Sequence, residues 1–253
     1  MTTIFEKFYE ERVAVINPTD SMESIAGFPE ICVTTFSKNI IDKFISLNGV
    51  IKIAELYSAN GVNPIYKIRY KGKDIAFYLS LVGAPACACG LEEIIALGAK
   101  KIVLFGSCGI LDDSIKDKII VPTSAIRDEG TSYHYIPASS EITVNKEYVN
   151  ILISCLEKYG YSYATGKSWT TDAIYRETEG IISERKKQGC ITVELEFSAA
   201  LAVSIFRNVP FIQFLYGADC LDNNKWEIRD LCEYGLRNAE KLMTLAFECG
   251  ISL

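Results

Sequence analysis

Pro85-Ala86-Cys87-Ala88-Cys89-Gly90-Leu91-Glu92-Glu93-Ile94-Ile95-Ala96-Leu97-Gly98, followed by Lys101-Ile102-Val103-Leu104-Phe105 and Gly106-Ser107-Cys108-Gly109, is the key to the architecture. Proline at the first helical position gives up an N–H that has no partner there. Ala88, Leu91, Ile94 and Ile95 recur at helical spacing, and Gly98 stops the run. Residues 101–105 then read as a strand and the glycine pair after them as a turn. Upstream, Tyr66 to Val82 reads as a hairpin with Lys71-Gly72-Lys73 at its turn and Ile75, Phe77 and Leu79 on one face. Strand, helix and strand over this length predict a parallel βαβ unit.

The alternation continues along the chain. Asn145 is placed to cap a helix carrying Val149, Leu152, Ile153 and Leu156, which ends near Gly160. Strand-like runs fall at Val13 to Ile16, Ile119 to Pro122, Tyr161 to Ser168, Ile191 to Leu195 and Phe211 to Leu215. Helices are predicted at Thr178 to Lys187, at Phe197 to Phe206 and from about Arg229 to Cys249. No linker-like stretch or repeat interrupts this order. The expectation is a single α/β domain over residues 1–253 with a mixed sheet, and ligands at the carboxyl ends of its strands.

Composition narrows the function. Of 253 residues, 49% are hydrophobic and 23% charged, enough to build a sizeable core. No apolar run reaches the length of a membrane span. The start, Met1-Thr2-Thr3-Ile4-Phe5-Glu6-Lys7, lacks the basic head and apolar centre of a secretory signal, so a cytoplasmic protein is expected. Nine cysteines without paired CxxC spacing and a single histidine, His134, predict reduced core thiols and no metal. The glycine-rich turns do not match the GxGxxG dinucleotide pattern, and no organic cofactor is expected. A net charge of −6 argues against a nucleic-acid surface, leaving a small molecule as the expected ligand.

Several residues are suited to chemistry. In Val193-Glu194-Leu195-Glu196 two carboxylates flank a leucine just before the small-residue run Ser198-Ala199-Ala200. A carboxylate accepts hydrogen bonds from two neighbouring hydroxyls, as in a ribose diol, and favours a sugar that becomes cationic as its glycosidic bond breaks. Gly106-Ser107-Cys108-Gly109 and Val82-Gly83-Ala84-Pro85 are candidate anion cradles after strands. Asp219 ends a strand, either as an acid that neutralises a departing base or as a cap for the loop Asp222-Asn223-Asn224; Arg229 could orient it. The segments Arg127 to Tyr135 and Trp169 to Glu177 are rich in aromatic and polar groups suited to stacking a heterocycle or lining a subunit contact.

Taken in order, these pieces resemble the nucleoside phosphorylase family, which includes hexameric purine nucleoside phosphorylases, uridine phosphorylases and methylthioadenosine/S-adenosylhomocysteine nucleosidases. The two aromatic loops look most like the uridine branch, whereas Asp219 looks like the purine and nucleosidase branches. The resemblance implies a three-layer α/β/α domain around a mixed, barrel-like sheet, in a homo-oligomer from dimer to hexamer. It implies that Glu196 holds the ribose 2′- and 3′-hydroxyls with Glu194 at the 2′ side, and that Leu195, where the family mostly has Met, packs on the sugar. Ser107 would bind phosphate beside Gly106 and Gly83, Ile174 and Tyr175 would stack the base, and Asp219 would be the purine-side acid. The implied reaction is phosphorolysis of a nucleoside with phosphate as co-substrate; the alternatives are hydrolysis on the same fold and nucleoside binding without turnover.

Two departures bear on that choice. Phosphorylases of the family carry a Gly-Asp-Pro phosphate loop after the first strand, where this chain is read as Asn17-Pro18-Thr19-Asp20. They also carry an arginine two residues before the glycine-serine pair, where this chain has Leu104. Leucine cannot supply the bidentate, charge-assisted hydrogen bonds of a guanidinium. The nucleosidases use an N-terminal glutamate to activate water, for which Glu23 is the nearest candidate.

Overall fold

A computed structural model of the chain describes residue 5 and residues 7–222, 226–233 and 236–253. Met1 to Ile4, Glu6, Asn223 and Asn224 lie outside the described residues, as do positions 234 and 235 of the expected terminal helix. Five strands close into a barrel. They are β5 (Lys101–Ile110), β6 (Ile119–Asp128), β8 (Tyr163–Thr171), β9 (Cys190–Glu194) and β10 (Phe211–Cys220). Closure comes from β5, which pairs parallel with β10 on one side and antiparallel with β9 on the other. The ring is completed by the antiparallel pair β10–β6 and the parallel pairs β6–β8 and β8–β9.

From β5 the sheet runs on through β1 (Ile31–Thr35), β4 (Lys73–Leu79), β3 (Gly61–Tyr70) and β2 (Ile51–Ser58), while the short β7 (Glu141–Thr143) adds to β6. The β3–β4 hairpin turns at Lys71 and Gly72, both at positive φ, as its sequence predicts. β4 and β5 flank β1, all three parallel, so the predicted crossover exists with one strand between its ends.

Helices cover both faces. Val103 and Phe105 of β5 face α2 (Lys38–Ile45), α4 (Lys146–Lys158) and α7 (Ala239–Ser252), packing with Phe44, Leu156 and Met243. Ile102 and Leu104 face the opposite way, toward α3 (Ala84–Leu97) and α6 (Phe197–Arg207), with Leu91, Phe197 and Leu201. A strand buried on both sides must be apolar at every position, and residues 102–105 are. Gly98 closes α3 as read from the sequence, and the helix opens at Ala84, one residue before Pro85, with Gly83 at its N-cap; the Asn145 side chain accepts the Glu147 N–H at 2.9 Å to cap α4. α5 (Glu179–Lys187) follows its N-cap Thr178. Among the described residues no helix is long and apolar enough to cross a membrane.

Three expectations are corrected. Gly106 and Gly109 are not in a turn; β5 runs through them to Ile110, and neither has a positive φ. They are glycines because of close approach. A Cβ on Gly106 would lie 2.7 Å from Cδ2 of Phe36, and one on Gly109 would lie 2.6 Å from Leu221 and 2.9 Å from Val193. Val13 to Ile16 is not a strand: Val13, Val15 and Ile16 are 80%, 101% and 79% exposed, with no neighbouring strand to pair them. The first strand is β1, followed by Phe36-Ser37-Lys38, and Asn17 instead caps the short helix α1 (Pro18–Ser21). The terminal helix starts at Ala239, ten residues after Arg229, which sits in a turn with φ of 41°.

Candidate active site

The carboxyl ends of β1, β4, β8, β9 and β10 converge with residues 107–109 of β5 around a cavity of about 560 Å³. Its size suits a small organic ligand. Glu194 ends β9 and is buried. Its Oε1 accepts the hydroxyls of Ser168 at 3.1 Å and Thr170 at 2.6 Å; its Oε2 accepts the backbone N–H groups of Glu196 at 2.7 Å and Phe197 at 2.6 Å. Four donors saturate the acceptor capacity of this carboxyl group, and two of them are free N–H groups at the start of α6. Burial pushes the Glu194 carboxyl upward in pKa, while these hydrogen bonds pull it back. Glu194 therefore fixes the turn that presents its neighbours.

Glu196 stands at the N-cap of α6 and is only 6% exposed. Its Oε1 accepts the Gly83 N–H at 2.7 Å, tying the turn after β9 to the start of α3. The N–H that made Gly83 a candidate anion donor is thus committed to this carboxyl. Burial first, and the charge of Glu194 second, push Glu196 up to about 8. A carboxyl held this high gains most from a ligand that brings hydroxyl donors or positive charge.

Asp219 reaches the cavity through an irregularity in β10. Gly217 pairs with Cys108 and Asp219 with Gly109, leaving Ala218 as an extra residue. Asp219 Oδ2 accepts the indole N–H of Trp226 at 2.8 Å. Burial raises its pKa, opposed chiefly by that bond. Arg229, expected to orient Asp219, bonds instead to the Lys116 carbonyl at 3.2 Å and to Asp117 at 3.1 Å. It lines a different cavity, of about 410 Å³, with Lys116 and Lys241.

Ser107, Leu195, Ile174 and Tyr175 all line the 560 Å³ cavity, Ile174 and Tyr175 on a 3-10 turn after β8. Gly106 lies one residue short of the lining, beneath the Phe36 ring, and Phe36 itself borders the cavity. Cys108 is a neutral wall, its thiol pushed well above its usual range by burial. Glu177 was not singled out from the sequence, where it is one acid in a polar loop. It lines the cavity, and burial together with the charge of Asp219 raises it to about 7.

Among the described lining residues there is no Lys, Arg or His. Leu104 is fully buried in the core beneath α3 and α6. Glu23 and the Asn17 to Asp20 segment are away from the cavity lining, and Glu23 is exposed. Of the Arg127 to Tyr135 segment, Arg127 is buried and bonds to Ser132, Ser139 and the Pro137 carbonyl, its guanidinium 4.1 Å from the Tyr133 ring centroid. His134 is exposed and does not reach the cavity.

The chain is similar in sequence and in fold to several known proteins. A guanosine phosphorylase from Halorubrum lacusprofundi is 23% identical over 152 residues, 60% of this chain and 63% of that protein. A uridine phosphorylase from Thermococcus kodakarensis is 32% identical over 108 residues, 42% of this chain and 39% of the other. The matched segments thus span less than two thirds of these relatives. In fold, the chain is similar to uridine phosphorylase from Vibrio fischeri, with a TM-score of 0.73 and 22% identity over 90% of this chain and 92% of that one. It is also similar to AMP nucleosidase from Bacteroides thetaiotaomicron, with a TM-score of 0.71 and 18% identity over 88% and 87% of the two chains. The family model described as the phosphorylase superfamily matches residues 30–248, from just before β1 into α7, and the chain belongs to that superfamily.

Proposed function

We propose that this protein cleaves the N-glycosidic bond of a nucleoside. The observation that carries the proposal is Glu196, nine-tenths buried at the cavity and sharing that cavity with a second raised acid, Asp219. In this reading the free acceptor capacity of Glu196 takes the ribose hydroxyls. As the bond from C1′ to the base nitrogen breaks, its electron pair leaves with the base and positive charge spreads over the ribosyl group. The sugar hydroxyls and the growing positive charge favour the ionised form of Glu196, and a carboxylate fixed in a dry site stabilises that charge without having to reorganise. Asp219, its pKa raised by burial, is suited to supply a proton to the departing base. Leu195 would pack on the sugar, and Ile174 and Tyr175 on the base.

Two acceptors are consistent with the family, phosphate and water, and the cavity walls support water. A phosphate dianion would meet Glu177, Glu194, Glu196 and Asp219 with no cation among the described lining residues. Phe36 borders the cavity over Gly106, and Leu104 lies in the core where the resemblance calls for an arginine. A water oxygen would bond to C1′ and lose its proton to solvent, giving free ribose. Phosphorolysis is the second reading; Ser107, which borders the cavity, and the names of the relatives favour it. Base release from a nucleoside panel, followed by ultraviolet absorbance with and without phosphate, tests both. Phosphate-independent release is expected. Strict phosphate dependence would restore phosphorolysis, and no release from any nucleoside would overturn the proposal.

A further inference from the structure

The 410 Å³ cavity that Arg229 lines takes no part in the proposed reaction. We infer that it is an effector site for a phosphate group, free or carried by a small molecule. It opens at the amino ends of β6 and β8 and at the start of α7, and hydrogen bonds tie its walls together. The Ile119 N–H donates to the Ser162 carbonyl at 3.0 Å, the Tyr161 hydroxyl to the Lys241 carbonyl at 3.3 Å, and the Arg229 guanidinium to the Lys116 carbonyl at 3.2 Å. Stretches far apart in sequence thus form one concave surface.

Its charge runs against that of the whole chain. Lys116, Lys118, Arg229, Arg237 and Lys241 line it against two carboxylates, Asp117 and Asp230, although the net charge of the protein is −6. Lys116 pairs with Asp113 at 3.1 Å, Arg229 with Asp117 at 3.1 Å and Arg237 with Asp230 at 3.5 Å. The ammonium groups of Lys118 and Lys241 have no ion pair or hydrogen bond among the described residues. Lys241 also stands in the first turn of α7, where the helix dipole already presents positive charge, and the Asn238 side chain makes no capping bond there. Cations without partners beside an uncapped helix start are complementary to a dianion. A phosphate monoester brings roughly two negative charges and three strong acceptor oxygens near neutral pH. Tyr161, Tyr216 and Leu242 offer surface for a carbon body, and the volume admits one of nucleotide size. The catalytic cavity, with four carboxylates and no cation among its described lining residues, repels the same ligand.

One stretch of chain walls both cavities. Trp226 and Leu231 line the catalytic one, whereas Arg229 and Asp230 between them line the cationic one. The stretch is tied to the end of β10, where Cys220 and Glu227 exchange backbone hydrogen bonds at 3.0 and 2.9 Å and Trp226 holds Asp219 at 2.8 Å. A ligand held by Arg229 therefore acts on the segment that positions Asp219, by binding alone and without any covalent step.

Calorimetric titration of the full chain with inorganic phosphate and with adenosine 5′-monophosphate, at low ionic strength, tests the inference. Tighter binding of the ester assigns a phosphorylated metabolite and tighter binding of the free ion assigns phosphate itself; both uphold the site. Lys118→Ala combined with Lys241→Ala is expected to weaken binding at least ~10-fold, the scale of losing charge-assisted hydrogen bonds. Glu196→Gln should leave it within ~2-fold, because that residue lines the other cavity. Saturating ligand should also shift the fluorescence of Trp226, and the shift should be absent from Trp226→Phe and, at the same ligand concentration, from the double lysine variant. Lys118 is half-buried and Lys241 exposed, and thermal unfolding checks that the variants are folded. Failure of both anions to bind, binding unchanged in the double lysine variant, or a Trp226 emission that does not respond would overturn the inference. Binding abolished by Glu196→Gln would place the anion in the catalytic cavity and overturn it equally. None of these results bears on nucleoside cleavage, which base release from the nucleoside panel tests separately.

Discussion

Glu194 accepts the backbone N–H of Glu196 at 2.7 Å, so one acid of the pair holds the other in place. The two residues are separated only by Leu195, yet their surroundings differ. Glu194 is enclosed by four donors, whereas among the described residues Glu196 is held to a neighbouring element by the Gly83 N–H. The first organises a turn and a helix start; the second is left with capacity for a ligand.

Glu194→Ala should therefore act on stability before it acts on chemistry. The Ser168 and Thr170 hydroxyls can turn elsewhere, but the N–H groups of Glu196 and Phe197 cannot. Leaving such buried donors without an acceptor is expected to cost about 3–5 kcal/mol. Denaturant titration measures it, and a loss under about 1 kcal/mol would show that the hydrogen bonds do not hold the turn.

Glu196→Gln should do the reverse. Loss of a charged acceptor for two sugar hydroxyls is expected to lower kcat/KM on the order of 10²-fold. Its effect on stability depends on pH. The ordinary carboxyl value is 4.5, and the folded protein holds Glu196 at about 8. The unfolded chain releases its proton first, so this group disfavours the fold progressively as pH rises between those values, and fully above the higher one. The variant lacks that burden. Its Tm advantage over the wild type should be small near pH ~5 and largest above pH ~8; an advantage independent of pH would contradict the assignment.

Gly106→Ala should disturb the site through packing alone. The added methyl would lie 2.7 Å from Phe36, and overpacking of this kind costs about 1–3 kcal/mol. Adding Phe36→Leu should recover much of that loss in thermal unfolding. If the double variant is no better than the single one, the glycine serves some purpose other than admitting the ring.

Trp226→Phe and Arg229→Ala separate two candidates for the orienting group of Asp219. The indole N–H bonds to Asp219, while the guanidinium bonds to Asp117 and the Lys116 carbonyl. Removing one hydrogen bond to a charged group is worth about 1.5–3 kcal/mol, so Trp226→Phe should lower kcat/KM roughly 10-fold or more. Arg229→Ala should stay within ~2-fold. Reversal of that order would return the orienting role to Arg229.

Local chemistry made much of the fold legible. The Lys71-Gly72 turn, Gly98 at the end of α3 and the Asn145 cap each act within a few residues, and each stands where its sequence places it. Strand ends were harder because glycine has two uses. Gly106 and Gly109 read as a turn but continue β5, since a Cβ would meet Phe36 at 2.7 Å and Leu221 at 2.6 Å. Barrel closure rests on β5 pairing with both β9 and β10, and no local pattern encodes a contact between residues 109 and 193. Apolar content also misled at Val13 to Ile16, whereas the fully buried run Ile31-Cys32-Val33-Thr34-Thr35 is the real first strand. Of the residues that line the cavity, Glu196, Ser107 and Asp219 read as chemistry at strand ends, while Leu195, Ile174 and Tyr175 come from the resemblance. Glu177 comes from neither, because a loop glutamate is ordinary until the fold buries it.

Ala218 gives β10 one residue more than β5 opposite it. Side chains alternate faces along a strand, so that surplus resets the parity of everything after it. The direction in which Asp219 points is therefore a matter of counting: a chain one residue shorter here would carry the same aspartate turned toward the other face of the sheet. Relatives that differ by a single deletion at this position would keep the letter and lose the acid, and an alignment scored on identity alone would not register the change.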